Sequence, residues 1–170
     1  MNKNSYEVID NFLEKEDFEN IKKIMLDVNF PWHYTNGVVL KEENEIKDQF
    51  QFMHILYYNN LPTSQYFDIL SPFLLKINPI SLIKVKANLN TRSEFLFEHG
   101  YHTDFNDAPS NQRTAVFYLN TNNGYTLFED GTKVESVENR FVSFETSIKH
   151  TGSTCTDKNR RVVLNFNYIV

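Results

Sequence analysis

The pattern of hydrophobic and polar positions divides the chain into a helical part followed by a strand-rich part. Apolar residues recur at helical spacing from Phe18 to Val28, and Asn11 or Asp17 is the expected N-cap of that helix. A second, broad apolar helical face runs from Ser64 to Ile77, where Pro72 should kink the helix or begin another one. The first part of the chain is therefore expected to supply mainly helices.

Short apolar runs separated by turn residues predict β-strands in the second part of the chain. A strand is also expected around Tyr6 and Val8, and the polar stretch Lys41–Asp48 should form a loop before the apolar run Phe50–Tyr58. Helices followed by strands predict an α+β layout, or a β-barrel or jelly roll with helices packed outside it. The expected later strands are Ser81–Leu89, Arg113–Leu119, Tyr125–Glu129, Thr132–Val137, Phe141–Phe144 and Arg161–Val170.

Composition narrows the classes of function. A chain of 170 residues, 41% hydrophobic and 15% aromatic, suits one domain with one core. The net charge of −5 and the lack of a long basic run argue against a nucleic-acid partner. The five glycines do not form Rossmann or P-loop motifs, and the single Cys155 cannot build a disulfide framework or a thiolate metal cage. We find no membrane-spanning stretch and no signal-peptide pattern, so we expect a cytoplasmic protein, in the host cytoplasm if it is viral.

Candidate metal ligands lie in the second part of the chain. Of the five histidines, only His102 is followed two positions later by a carboxylate, that of Asp104. Alternate residues of a strand point to the same face, so His102 and Asp104 can bind one metal ion together. An ordinary surface His near an Asp has the same spacing and is the alternative. His150 comes after the next apolar strands, and Arg160 and Arg161 open the last strand. Two His and one carboxylate on one face of an octahedral metal leave three open positions, as in non-haem Fe(II) oxygenases.

These motifs, in the order H-x-D, distal His and Arg, resemble those of the 2-oxoglutarate- and Fe(II)-dependent dioxygenases, in the prolyl-4-hydroxylase-like branch with its small microbial and viral members. The segments 113–120, 123–131 and 139–144 resemble the strands that flank the motifs in that branch, and the similarity covers residues 81–170. It implies an α+β or mainly β fold with a double-stranded β-helix (jelly roll) core at residues 80–170. The helices of a supporting region, residues 1–79, would pack on the outer sheet face. Residues 1–170 would then form a single catalytic domain.

The resemblance also implies cofactors. His102, Asp104 and His150 would hold Fe(II), and 2-oxoglutarate would be the co-substrate, with ascorbate as a candidate reductant. An Arg on the last strand would bind the far carboxylate of 2-oxoglutarate in a bidentate salt bridge. A jelly roll of this kind keeps its polar pocket inside and covers its outer sheet face with helices. We therefore expect Arg161 in the pocket, with Arg160 as the alternative.

Other co-substrate contacts depart from the branch. Tyr118 matches a Tyr that commonly hydrogen-bonds the tail of 2-oxoglutarate. The branch often has another Tyr on the strand before H-x-D, but this chain has Asn88 and Asn90 in that region, so an Asn is expected to substitute for it.

The remaining aromatic, histidine and cysteine positions are expected to be structural. We expect His99 to be a surface residue or a residue behind the ligands. We expect His54 to be structural, with a position at the substrate entrance as the alternative. The segment Trp32–Tyr34 is expected to pack in the core or a loop rather than to form a rim over the pocket. Cys155 has no apparent base beside it and reads as an unreactive thiol.

The activity implied by the resemblance is hydroxylation of a C–H bond with release of succinate and CO2. A prolyl residue of a peptide or protein is the first candidate substrate, and free amino acids, other small molecules and nucleobases are alternatives. One rival function is a cupin-like jelly roll that binds metal without using 2-oxoglutarate, for which only His99 could serve as a third His. The other rival is a non-catalytic binding module with a vestigial site. The oligomeric state is left open.

Overall fold

The computed structural model describes residues 6–37 and 50–170, so the expected loop Lys41–Asp48 lies outside the described residues. Its helices are α1 (Lys15–Leu26), a short 3-10 helix (Phe67–Leu70) and α2 (Ser71–Ile77). Its strands are β1 (Tyr6–Ile9), β2 (His33–Asn36), β3 (Phe50–Tyr58), β4 (Leu61–Pro62), β5 (Ser81–Thr91), β6 (Gln112–Tyr118), β7 (Tyr125–Phe128), β8 (Lys133–Glu135), β9 (Arg140–Glu145), β10 (His150–Gly152) and β11 (Arg160–Ile169).

The strands form two antiparallel sheets that pack face to face. The larger sheet has the order β1-β9-β6-β11-β5-β3-β2, with β4 paired to β3, and the smaller has the order β10-β7-β8. Apolar side chains from both sheets meet between the layers, namely Val116, Tyr118, Phe128, Val134, Val142, Phe144 and Val163. This two-layer arrangement is the jelly roll that the sequence predicts.

The helices cover the outer face of the larger sheet, as expected. The ring of Phe73 on α2 lies 4.7 Å from that of Phe117 on β6 and 5.0 Å from that of Phe166 on β11, measured between centroids. Burying each such side chain stabilises the fold by about 1.5–3 kcal/mol. The sheet residues of this outer core include Val85, Ala87, Leu89, Val162 and Leu164.

Because side chains alternate along a strand, the other face of the larger sheet points between the layers. On β11 this inner face starts at Arg161, which pairs with Asn90 of β5, and Val163 pairs with Asn88. Farther along the same two strands, Asn165 and Asn167 pair with Lys86 and Lys84. A polar strip therefore runs along the inner face of β11 and β5, whereas the helix-covered face of the same strands is apolar.

The structure corrects two expectations about the first part of the chain. The described part of residues 1–79 is not mainly helical, because Phe50–Tyr58 forms β3 in the larger sheet, between β5 and β2. Neither Asn11 nor Asp17 caps α1: Glu14 occupies the N-cap position without a side-chain hydrogen bond, and Asn11 adopts a φ of 50°. Pro72 lies at the start of α2 and so begins a second helix. None of the helices in the described ranges is long and apolar enough to cross a membrane.

Candidate metal and co-substrate site

The structure brings His102, Asp104 and His150 together. One ligand atom from each residue lies within 4.8 Å of the other two, and His102 Nε2 lies 3.8 Å from Asp104 Oδ1. His150 begins β10, whereas His102 lies in the segment before β6. The two histidines exchange backbone hydrogen bonds of 3.0 Å in both directions, which fixes their side chains next to each other.

Both histidine rings are oriented by main-chain carbonyl groups. The Nδ1 atom of His102 lies 3.2 Å from the oxygen of Gly100, and the Nδ1 atom of His150 lies 3.2 Å from the oxygen of Ile148. With the proton on Nδ1, each ring donates to its carbonyl group and keeps the Nε2 lone pair free for a metal. Burial lowers the pKa of His150, which keeps its ring neutral at pH 7, as metal binding requires.

Asp104 is held by two residues of the larger sheet. Its Oδ2 atom accepts hydrogen bonds from Asn167 Nδ2 at 2.7 Å and from Thr114 Oγ1 at 3.3 Å. Asn167 and Thr114 are direct partners across β11 and β6, and Asn167 also donates to the threonine hydroxyl at 3.1 Å. Oδ2 is thus engaged by the protein, while Oδ1 faces His102.

Arg161 lies deep between the two sheets and is only 3% exposed. Its Nε donates to Ser136 Oγ at 2.9 Å, its Nη2 donates to the carbonyl oxygen of Tyr125 at 3.3 Å, and its guanidinium lies 5.6 Å from the ring centre of Tyr118. Burial lowers the pKa of Arg161, yet a guanidinium stays protonated in a protein. None of the carboxylates in the described ranges forms an ion pair with it. A buried cation of this kind is costly unless an anion joins it.

The backbone near Gly124 packs closely against the aliphatic part of the Arg161 side chain. A Cβ atom at Gly124 would stand 2.6 Å from both Arg161 Cδ and the carbonyl oxygen of Thr154, so only glycine fits there. The Tyr118 hydroxyl donates to Thr126 Oγ1 at 2.8 Å, and burial raises the pKa of Tyr118, which keeps it a neutral donor. The stem of Arg161 is therefore fixed, while its charge has no acidic partner.

Asn88 and Asn90 line the same interior. They are 7% and 3% exposed, and Asn88 Oδ1 and Asn90 Nδ2 have no hydrogen-bond partner in the described structure. Polar atoms buried in this way normally have partners. The unpaired N–H donor of Asn90, together with the charge of Arg161, suits an anionic guest such as a dicarboxylate, whereas Asn88 Oδ1 is an acceptor that needs a donor.

The structure separates Arg160 from this interior. Arg160 points to the helix-covered face, where its Nη2 donates to the carbonyl oxygen of Leu26 at 3.3 Å. His54 also lies on that face, 2.7 Å from Ser64 Oγ and 4.9 Å from the ring of Phe30. Trp32 packs against the same outer core.

Two further titratable residues, His99 and Lys86, lie in the same interior. Of the two positions expected for His99, the structure has the buried one: the residue is only 7% exposed, and its backbone N–H donates to the carbonyl oxygen of Gly152 on β10. Burial, aided by the charges of Arg161 and His102, lowers the pKa of His99 to about 4. Lys86 was not singled out from the sequence, although the alternation along β5 places it on the inner face. Burial lowers the pKa of Lys86. Cys155 is a buried free thiol, and burial raises its pKa.

Solved structures of other proteins have the same fold as this chain. A prolyl hydroxylase from Trichoplax adhaerens, in complex with a peptide of hypoxia-inducible factor, has a TM-score of 0.73 and 13% identity, covering 98% of this chain and 84% of that one. A 2OG-Fe(II) oxygenase family protein from Burkholderia pseudomallei has a TM-score of 0.69 and 12% identity, covering 97% and 85%.

A third solved structure contains ligands. The epimerase SnoN of nogalamycin biosynthesis, in complex with Fe3+, alpha ketoglutarate and a nogalamycin compound, has a TM-score of 0.66 and 11% identity, covering 97% and 78%. No family model matches the sequence, and no curated protein matches it at the sequence level. The resemblance drawn from the motifs is thus confirmed for the architecture: this chain has the jelly-roll fold of the 2-oxoglutarate- and Fe(II)-dependent oxygenases.

Proposed function

We propose that the protein is an Fe(II)- and 2-oxoglutarate-dependent dioxygenase that hydroxylates a C–H bond. The observation that carries this proposal is the presence, in one interior, of a two-His-one-Asp cluster and a buried arginine without an acidic partner. A metal site alone would equally suit a cupin-like protein. The cation distinguishes the two, because a dicarboxylate that chelates a metal through one end needs a positive charge for the other.

In this proposal His102, Asp104 and His150 hold the metal through two neutral imidazoles and one carboxylate oxygen. Asn167 and Thr114 keep the carboxylate in position through their hydrogen bonds to its second oxygen. Carbonyl groups of the backbone fix both rings, so the three ligands are oriented before a metal binds.

The co-substrate is assigned to the other part of the interior. Arg161 would bind the far carboxylate of 2-oxoglutarate, and Tyr118, Asn88 and Asn90 would offer it further polar contacts. When bound, Fe(II) and 2-oxoglutarate would supply the oxidation of the substrate C–H bond by dioxygen, coupled to the conversion of 2-oxoglutarate into succinate and CO2. Valine and phenylalanine side chains pack between the sheets beside this region and give it apolar walls.

A prolyl residue in a peptide is the first candidate substrate. The Trichoplax prolyl hydroxylase, which has the same fold, was solved with a peptide bound. The SnoN complex indicates that a small molecule must be tested beside peptides. Lys86 is half-buried and close enough to Asp104 for the carboxylate to affect its pKa, so it adds a charged side chain near the proposed metal ligands.

The test is succinate formation from 2-oxoglutarate by the Fe(II)-loaded protein, with proline-containing peptides, free amino acids, other small molecules and nucleobases offered in turn. We expect turnover by the wild type, including slow uncoupled turnover without a substrate. His102→Ala and Asp104→Ala should reduce it to the background rate, with ascorbate added in all assays. Unchanged turnover in these variants would refute the assignment of the ligands.

Binding experiments separate the rival functions. Calorimetry with Mn(II) should detect one site in the wild type, and a protein that binds neither Mn(II) nor Fe(II) would be a non-catalytic module. Binding of 2-oxoglutarate that is unaffected by Arg161→Ala would favour the cupin-like alternative.

A further inference from the structure

His99 is a buried histidine whose ring nitrogens both lack a partner. It is 7% exposed, and neither Nδ1 nor Nε2 has a hydrogen-bond partner in the described structure. Leaving a buried polar group unsatisfied costs about 1–3 kcal/mol. An apolar residue would avoid this cost, so the imidazole is difficult to explain by packing alone.

The position of His99 relates it to both parts of the interior. A Cβ atom built on Gly152 would stand 3.8 Å from Arg161 Nη1 and also 3.8 Å from His99 Cδ2. The two side chains therefore flank the same point, which the glycine leaves free of side-chain atoms. His99 also lies close enough to His102 and Arg161 for both of their charges to act on it.

We infer that His99 is a further co-substrate-binding residue, whose imidazole N–H donates a hydrogen bond to a carboxylate oxygen of the bound dicarboxylate. This inference rests on the proposed function, since it requires a dicarboxylate that runs from Arg161 to the metal ligands. Because Gly152 lies beside Arg161 and two residues after the metal-ligand candidate His150, such a molecule would run past Gly152, where the His99 imidazole has no protein partner. A neutral ring has one N–H donor and one acceptor, and the donor suits an anion.

The role differs from that of Arg161. The arginine supplies charge, whereas the neutral His99 supplies a directed donor that does not add a positive charge next to the metal. A hydrogen bond to a charged group contributes more than one between neutral groups. Its removal should therefore weaken co-substrate binding without affecting the metal ligands.

The experiment measures the Kd of 2-oxoglutarate for the Mn(II)-loaded protein by calorimetry, so that no turnover is needed. His99→Phe keeps a flat ring and removes both nitrogens, and we expect its Kd to rise about tenfold, equivalent to about 1.4 kcal/mol. His99→Gln keeps an N–H donor and should lie between the wild type and His99→Phe. The affinity of each protein for Mn(II) alone, and the Tm without ligand, are measured in parallel.

The outcomes separate this inference from the proposed function. If the wild type binds Mn(II) but not 2-oxoglutarate, the proposed function fails. If the wild type binds 2-oxoglutarate and His99→Phe binds it equally well, the inference about His99 is overturned while the proposed function stands. If His99→Phe loses Mn(II) affinity or stability to the same extent as 2-oxoglutarate affinity, the residue is structural and the inference is again wrong. A loss confined to 2-oxoglutarate, partly restored by His99→Gln, supports it.

Discussion

Replacing Arg161 by Met should abolish co-substrate binding while leaving the protein folded. The guanidinium makes two hydrogen bonds, to Ser136 and to the carbonyl oxygen of Tyr125, and forms no ion pair with the carboxylates of the described ranges. Losing these bonds costs about 1.5–3 kcal/mol each. Removing a buried, unpaired cation recovers several kcal/mol of desolvation. The two effects oppose each other, so the free energy of unfolding without ligand should change by no more than about 2 kcal/mol.

The effect on binding has no such compensation. Removing one partner of a buried charge pair costs about 3–5 kcal/mol, which is a loss of about 10²- to 4 × 10³-fold in affinity for 2-oxoglutarate. Thermal unfolding offers a simple assay. In the wild type with Mn(II), 2-oxoglutarate at 100 times its Kd should stabilise the fold by about 2.7 kcal/mol, a rise of roughly 5–10 °C in Tm. Arg161→Met should show a rise of no more than about 1.5 °C at the same concentration.

Arg160→Met is the matched control, because Arg160 is the adjacent arginine but points to the helix-covered face and contacts the carbonyl oxygen of Leu26. It should keep the wild-type response to 2-oxoglutarate. The reasoning would be refuted if Arg161→Met bound 2-oxoglutarate within threefold of the wild type, or if Arg160→Met were the variant that lost binding.

Three further predictions concern the same interior. Gly124→Ala should destabilise the protein by about 1–3 kcal/mol and weaken 2-oxoglutarate binding, since its Cβ would stand 2.6 Å from a main-chain oxygen. Gly131→Ala, whose Cβ meets no atom within 4 Å but whose φ of +87° strains a side chain, should lose some stability and still bind 2-oxoglutarate normally. Asn167→Ala should lower Mn(II) affinity about 10- to 100-fold in calorimetry, because Asp104 loses a 2.7 Å hydrogen bond. The metal-free protein should lose stability as the pH falls from about 6.5 to 4, because burial lowers the pKa of His99 to about 4 and the unfolded chain then binds the extra proton. The loss attributable to this group is up to about 3 kcal/mol in urea titrations.

Each of these predictions has a result that contradicts it. Wild-type affinity for 2-oxoglutarate in Gly124→Ala, matching that of Gly131→Ala, would argue against the close contact between Gly124 and Arg161. Unchanged Mn(II) affinity in Asn167→Ala would mean that Asp104 does not depend on that hydrogen bond. His99→Phe should flatten the pH dependence between pH 6.5 and 4, and an unchanged slope would assign it to other groups.

The residues of the proposed metal site could be found from the sequence because their signals are local. His102 and Asp104 are two positions apart, and the alternation along the last strand distinguishes Arg161 from Arg160. The preference for Arg161 also needed the expectation that the helices cover the other face of the sheet. That face carries Phe166, which contacts Phe73 of α2.

The features that the sequence did not predict depend on contacts between distant segments. His99 is buried because its segment pairs with Gly152, far along the chain. The N-cap of α1 was misplaced because the backbone around Asn11 is fixed by Asn139, which bonds both the N–H and the C=O of Leu13. The run Phe50–Tyr58 has apolar residues on both of its faces, so it shows no strict alternation by which periodicity alone would identify a strand.

The reciprocal backbone hydrogen bonds between His102 and His150 determine what the loss of a metal would mean for this protein. Two ligand residues that are distant in sequence are held side by side by the main chain, so folding, rather than metal binding, has already met the entropy cost of ordering them. In small zinc domains, by contrast, the ion itself drives folding, and chelators unfold the chain. Here a chelator should remove the ion and leave the segments of His102 and His150 paired. The metal-free protein should then bind metal again without refolding.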